Sequence, residues 1–368
     1  MKKGLFLALV LIFAVASVAF AKSGGGTVVT KDPGNVGSTS EQGSVLIFPK
    51  IDITTGDTII SISNSNTVPV NVECVWIPAG LPETIPYIDL QFSVTPSQPF
   101  AFDALGLYGG LTAFGPTEWQ VCKNAYCCKD VYSYVGELKC WATDANYANQ
   151  INFNYLSGSA KVIDFECYTA YEYNAWTFAA LAGTTGADVG TAGTIALDGV
   201  NFQACPYYFL GNFFAAGSGY GFIKDTDLTL VPCKQYVNEE KVAVTTKAKF
   251  TIYGDNENGY SGAIQCVTNW FEGWLSCITN GNLSSVCSLH GAAARFRVQG
   301  VASQDCAGSI ASPLVGLLVE DLCFFNPEMT DSKSINVLTA STGFGAGIDP
   351  SGFIVWDPEG PPVSAKKK

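Results

Sequence analysis

Thirteen cysteines and a single histidine define the chemistry this chain can offer. The cysteines are Cys74, Cys122, Cys127, Cys128, Cys140, Cys167, Cys205, Cys233, Cys266, Cys277, Cys287, Cys306 and Cys323. Their spread along the chain suits disulfides between strands and loops in an oxidising compartment. One disulfide contributes ~2–4 kcal/mol, so several weigh heavily against a usual net stability of ~5–15 kcal/mol. Spacing does not give the pairing. Adjacent Cys127 and Cys128 are expected to take different partners and pin the loop 121–130 at two places. An odd count leaves one thiol over. A buried free cysteine is the ordinary reading; Cys306 and Cys323, late in the chain, are candidates for a link to another molecule.

The other chemistry-bearing groups assemble no recognisable centre. A Ser–His–Asp triad would have to use His290, and Gly259-Tyr260-Ser261-Gly262-Ala263 leads into a further strand where a nucleophile elbow leads into a helix. Cys287 and His290 have a zinc-ligand spacing but no second pair, and oxidation would consume the thiolate. The Cys-x-x-Cys-His run of c-type haem attachment does not occur. Asp255-Asn256-Glu257-Asn258-Gly259 offers oxygens but not the EF-hand spacing, and reads as a polar hairpin turn. Gly217–Gly221 and Gly343–Gly347 lack the strand–loop–helix setting that cradles phosphate. A glycosidase needs two carboxyls about 5–10 Å apart and no histidine. Asp164 with Glu166, Asp225 with Asp227 and Glu320 with Asp321 are available, although residues two apart on a strand merely share a face, roughly 7 Å apart. No catalytic residue, metal or cofactor is expected.

Aromatic residues form the second concentration. Phe202, Tyr207, Tyr208, Phe209, Phe213, Phe214, Tyr220 and Phe222 crowd one stretch, and Trp270, Phe271 and Trp274 another. Three readings compete: a hydrophobic plug of the core, a subunit contact, and stacking against sugar rings. Only the first requires burial in an isolated monomer.

The elements that must position these groups read as strands. Val68, Val70, Val72, Cys74 and Trp76 alternate with mostly polar neighbours, as do Ile88–Val94 and Val242–Ile252. Ser44–Phe48, Thr58–Ser63, Gly136–Thr143, Ser159–Asp164, Leu228–Cys233, Ala263–Asn269, Arg295–Ala302 and Leu314–Val319 are weaker strand patterns. Turn-rich runs of Gly, Pro and Asn separate them. Asn174–Leu181 is the best helix, with a lesser one near Thr268–Ile278. Many short strands between such turns predict an all-β, antiparallel β-sandwich with minor helix, reinforced by disulfides.

Along the chain, Lys2 and Lys3, the apolar stretch Leu5–Val18 and Ala19-Phe20-Ala21 form a signal peptide over 1–21. A flexible Gly/Ser-rich arm over 22–43 follows, with a β-prone island at Thr27–Thr30 that could add to a neighbour's sheet edge. A β-sandwich domain with long insertions is expected over 44–233, a C-terminal β region over 234–356 and a flexible tail over 357–368. The stretch Gly183–Gly199 reads as a loop or hinge. No second apolar run reaches the roughly 18 residues of a membrane helix, so no span is expected after cleavage.

The chain of 368 residues carries 20 basic and 32 acidic groups, a net −12, and just two arginines, Arg295 and Arg297. Phosphate backbones require clustered Lys and Arg, so nucleic acid is excluded as a partner.

Ser44-Val45-Leu46-Ile47-Phe48-Pro49, Ile60-Ser61-Ile62-Ser63-Asn64 and Val70-Asn71-Val72-Glu73-Cys74 resemble the opening of a group of exported, largely uncharacterised bacterial β-rich surface proteins. Gly136–Cys140, Tyr171–Ala175 and Ala294–Gly300 fit the same pattern. The resemblance implies an extracellular or cell-surface β-protein, with the periplasm as an alternative, and supplies no site residues. The sequence thus predicts a secreted, non-enzymatic structural protein, a self-assembling subunit partnered by itself or other surface proteins. The alternative is an extracellular carbohydrate-binding or adhesion module with glycan partners, and the third is a secreted hydrolase using a carboxylate pair.

Overall fold

The computed structural model describes residues 36–79, 88–97, 99–104, 135–165, 169–215, 223–233, 243–254, 259–278, 293–325, 334–341 and 344–346. Their regular structure is almost entirely antiparallel strand, and the expected all-β sandwich is what forms. The signal peptide, Thr27–Thr30, the loop 121–130 and the tail lie outside the described residues.

The first strands are β1 (Val45–Asp52), β2 (Gly56–Asn64), β3 (Val70–Pro78), β4 (Ile88–Val94), β5 (Phe100–Asp103), β6 (Val135–Thr143), β7 (Asn149–Ile151), β8 (Leu156–Asp164), β9 (Thr169–Asn174), β10 (Trp176–Phe178) and β11 (Asp188–Thr191). One sheet runs β10-β1-β6-β3-β4, with β7 joining β6 to β11; its partner runs β5-β2-β8-β9. Leu46 and Phe48 from β1, Val72 and Cys74 from β3 and Leu138 and Cys140 from β6 meet Ile60 and Ile62 from β2 and Ala160 and Val162 from β8. Strand β1 is buried over all but its last residue. That accounts for Val45-Leu46-Ile47-Phe48 as an unbroken apolar run: both faces are covered, so no alternation is called for.

The later strands are β12 (Tyr208–Phe214), β13 (Ile223–Pro232), β14 (Thr245–Gly254), β15 (Gly259–Thr268), β16 (Phe271–Trp274), β17 (Ala293–Val301), β18 (Leu314–Phe325), β19 (Ser334–Ser341) and β20 (Phe344–Ala346), with one short helix, α1 (Leu275–Ile278). They form a five-stranded sheet, β15-β14-β17-β12-β20, and a four-stranded one, β16-β13-β18-β19. Phe209, Phe250, Phe296 and Val298 of the first pack with Leu228, Leu230 and Leu318 of the second. The opposite face of β18 gives Leu317 and Val319 to the N-terminal core. Val45, Ile47, Trp141 and Trp176, on the back of the seven-stranded sheet, share a cluster with the later strands. The Trp176 indole donates to the Gly316 carbonyl at 3.0 Å, tying β10 to β18.

Three expectations change. Sheet membership divides the described strands near residue 205, whereas the sequence suggested a seam after 233: β12 and β13 pair only with strands beyond residue 259. Non-local pairing decides this, and local pattern carries no trace of it. Asn174–Leu181 is the end of β9 and strand β10, with Ile47 opposite Trp176 and Val45 opposite Phe178. Burial of both rings against β1 outweighs the helical bias of nearby alanines. Residues 36–43 of the expected arm are docked. Gly37 donates to Ala204 and Ser38 to Thr177, each at 3.0 Å, and Gly43 exchanges backbone hydrogen bonds with Leu156. Gly37 lies so close to the Phe178 ring that an added Cβ would sit 2.2 Å from a ring carbon.

Three disulfides join described cysteines: Cys74–Cys140, Cys205–Cys233 and Cys266–Cys306. The first links direct cross-strand neighbours on β3 and β6. Cys306 is thereby corrected from a candidate intermolecular thiol to an internal partner of Cys266. Cys122, Cys127, Cys128, Cys167 and Cys287 lie outside the described residues, and the side chains of Cys277 and Cys323 are not described.

Candidate functional site

A dense group of ionisable side chains lies where the two sandwiches meet, and a break in β1 creates it. The β1–β6 register shifts between Phe48 and Ile51. Pro49 has no N–H to give to the ladder, so the strand bulges there. The bulge is held from two sides. Trp270 donates its indole N–H to the Pro49 carbonyl at 2.8 Å. The Tyr173 hydroxyl accepts from the Lys50 amide at 3.2 Å and donates to the Lys50 carbonyl. Lys50 is consequently aimed across the seam at acids of the C-terminal sandwich.

Its ammonium lies 3.3 Å from Asp227 on β13 and 3.8 Å from Asp52 on β1, and bonds Glu272 on β16. In the β13–β16 ladder Asp227 faces Trp274 and Thr229 faces Glu272. Asp227 and Glu272 are therefore diagonal neighbours on one face. Burial pushes the Glu272 carboxyl up to about 8, helped by its hydrogen bond to Asp227 and opposed by Lys50. At neutral pH Glu272 therefore keeps its proton. For Lys50, burial works against the charge, but the neighbouring carboxyls of Asp227, Glu272 and Asp52 prevail and hold it well above the usual lysine range. Burial raises the Tyr171 phenol too, so it stays protonated. A small cleft of about 220 Å³ opens here, lined by Lys50, Asp52, Gly56, Asp164, Tyr171, Asp227 and Trp274 among others. That is less than the roughly 300–1,000 Å³ of ordinary ligand pockets.

A second buried pair lies nearby on the back of the seven-stranded sheet. Glu137 and Lys139, two apart on β6, are 3.4 Å from each other and fully buried. Lys139 also donates to the Pro232 carbonyl of the C-terminal sandwich at 3.1 Å. Burial lifts Glu137 to about 7 against the pull of Lys139, and depresses Lys139 despite Glu137.

These placements bear directly on the carboxylate pairs read from sequence. Asp227 sits in the cluster, but its partner is Glu272, 45 positions along the chain, and the side chain of Asp225 is not described. Carboxyls that share a hydrogen bond stand too close for the water or sugar carbon a glycosidase must fit between them. Asp164 lines the cleft, while Glu166 is outside the described residues. Glu320 accepts from the Phe214 amide at 2.7 Å, and the side chain of Asp321 is not described. Among the described residues no group of three or more His, Cys, Asp and Glu could hold a metal ion. Asp255–Asn258 and His290 lie outside them.

The aromatic stretch splits in two. Phe202, Phe209 and Phe213 are core, with Phe209 edge-on to Phe296 at 5.5 Å and to Trp176 at 6.2 Å. Tyr207 and Phe214 are 40% and 50% exposed, and Tyr208 is half-buried edge-on to Tyr207. Tyr220 and Phe222 are outside the described residues. Trp270 and Phe271 pack against the core, and Trp274 is 44% exposed at the cleft. Sequence reasoning missed Lys50, Glu272, Glu137 and Lys139. A lysine after Pro in an apolar run, and a Glu-x-Lys inside a strand otherwise destined for burial, were the available signals.

No protein-family model matches this chain, and no curated protein matches it. Solved structures with a likeness include the CBM22-1–CBM22-2 tandem domain of Paenibacillus barcinonensis Xyn10C. It shares 8% identity over 83% of this chain and 82% of that one, at a TM-score of 0.16. A glycosyl hydrolase family 2 member from Bacteroides cellulosilyticus shares 11% identity over 90% of this chain, at a TM-score of 0.14. This chain spans 31% of the length of that hydrolase. At such TM-scores neither likeness informs the reading of the site.

Proposed function

We propose that this is an exported, non-enzymatic structural protein of the cell surface or extracellular matrix, built as a rigid two-sandwich unit that assembles with copies of itself. The observation that carries the reading is the seam. Its ionisable groups, Lys50 with Asp52, Asp227 and Glu272, and Lys139 with Glu137, bond one another across or beside the junction. They fasten one sandwich to the other, beside a cleft of about 220 Å³. Three disulfides cross-link the strands and loops and suit an oxidising compartment. Among the described residues no helix is long and apolar enough to cross a membrane. Light scattering on the exported, oxidised protein, with electron microscopy of each fraction, tests the proposal. Regular oligomers or filaments are expected, and a strict monomer at high concentration overturns the assembling role. The carbohydrate-binding or adhesion reading is favoured by a separate observation, the exposed aromatic and cationic face of the five-stranded sheet.

A further inference from the structure

The outer face of the five-stranded sheet gathers the chain's guanidinium groups. Arg295 and Arg297 are two apart on β17 and so share a face, while Ala294, Phe296 and Val298 between and beside them are buried. Strand β14 adds Lys247 and Lys249, with Thr251 opposite Arg297 and Lys249 opposite Gln299. None of the five strands contains Asp or Glu, in a chain that has 32 of them. Asp305, from outside the strands, meets this face at Lys247.

Arg297 is held by rings. Its guanidinium lies 4.5 Å from the centroid of Tyr208 on β12 and 5.9 Å from that of Tyr253 on β14. Among the described residues no carboxylate pairs with it. Lys247 is paired with Asp305, and Lys249 is exposed. Stacking fixes the plane of a group that is always charged and leaves its N–H fork to receive a planar anion in bidentate fashion. The amphipathic tyrosines beside it offer ring faces and hydroxyls, and Thr251 and Gln299 add neutral hydrogen-bonding groups. A carboxylated sugar chain satisfies all of these at once, with carboxylate on the fork and pyranose C–H faces on the tyrosines. An acidic polypeptide satisfies the charge alone.

We propose that this face binds an acidic polysaccharide, with Arg297 receiving a uronate carboxylate between Tyr208 and Tyr253 and Lys249 a second one. The chain's net −12 repels polyanions at a distance, so the contact is short-range and weakens as salt rises. The proposal stands apart from self-assembly, because a protein can oligomerise with this face unoccupied or bind through it as a monomer.

The test is calorimetric titration of the full exported, oxidised protein with alginate oligomers. Dextran oligomers serve as the neutral comparator and poly-glutamate as the charged one. Alginate should bind and dextran should not. Arg297→Gln should weaken binding about tenfold or more, the loss of one bidentate charge-assisted pair. Arg297→Lys, which keeps the charge but not the fork, and Tyr208→Ala should each weaken it several-fold, with thermal transitions near that of the wild type. If Arg297→Gln proves unfolded, Arg297→Lys decides. Wild-type affinity in the folded Arg297 variant, poly-glutamate bound as tightly as alginate, or no alginate binding by folded wild type at low salt would each overturn the proposal.

Discussion

Replacing Glu272 by Gln should make the protein less sensitive to alkali, with no effect of comparable size in acid. The folded-state carboxyl lies at about 8, against 4.5 for an ordinary glutamate. Between these values the folded protein holds a proton that the unfolded chain has released. Stability from this group is therefore full below pH 4.5, declines as pH rises, and is gone above pH 8. At ~1.36 kcal/mol per pH unit the ceiling is about 5 kcal/mol. Glu272 keeps some contact with water, its side chain being 21% exposed, and about 2–4 kcal/mol is the expected size. Gln preserves the shape and an N–H for Asp227 but cannot ionise. Urea unfolding followed by tryptophan fluorescence at steps from pH 5 to pH 9 measures the effect. The two proteins should be alike near pH 5, and the variant should be the more stable at pH 8.5. Glu137 and Lys139 are common to both proteins and cancel, so the divergence that builds between pH 5 and 8.5 belongs to Glu272. Parallel curves across the whole range would refute the buried, protonated state of Glu272 beside Asp227 and Lys50.

Two further outcomes follow from the packing. The double variant Cys74→Ala/Cys140→Ala removes a bridge that closes 66 positions of chain inside the N-terminal core, and should lower the unfolding free energy by about 2–5 kcal/mol in non-reducing urea titrations. An unchanged midpoint would mean that the bridge does not form. Gly37→Val places carbon where the Phe178 ring already lies. It should cost about 1–3 kcal/mol and expose the backbone before Val45 to limited proteolysis, whereas wild-type resistance in the variant would show that residues 36–43 are not docked.

Strand identity was legible in the sequence because its cause is local. The alternation of Val70, Val72 and Cys74 with polar neighbours, and the unbroken run Val45–Phe48, report one covered face or two, and both became strands of the expected kind. The same reading gave an all-β, disulfide-reinforced architecture and showed that histidine-dependent chemistry had one residue to work with. It failed at Asn174–Leu181, where an alanine-rich bias lost to the burial of Trp176 and Phe178 against β1. It also failed for the arm, because nothing near Gly37 announces a ring 141 positions away. The site was less legible still. The sequence pairs Asp227 with Asp225, its neighbour along the strand, whereas in the structure Asp227 is hydrogen-bonded to Glu272 from the next strand. The sequence alone determined most of the longer strands, because side-chain alternation is a property of a few consecutive residues. Only the tertiary structure decided which sheet each strand joined, which acids met Lys50 and which face collected the arginines. Those depend on pairings between residues far apart in the chain, whose register no local pattern encodes.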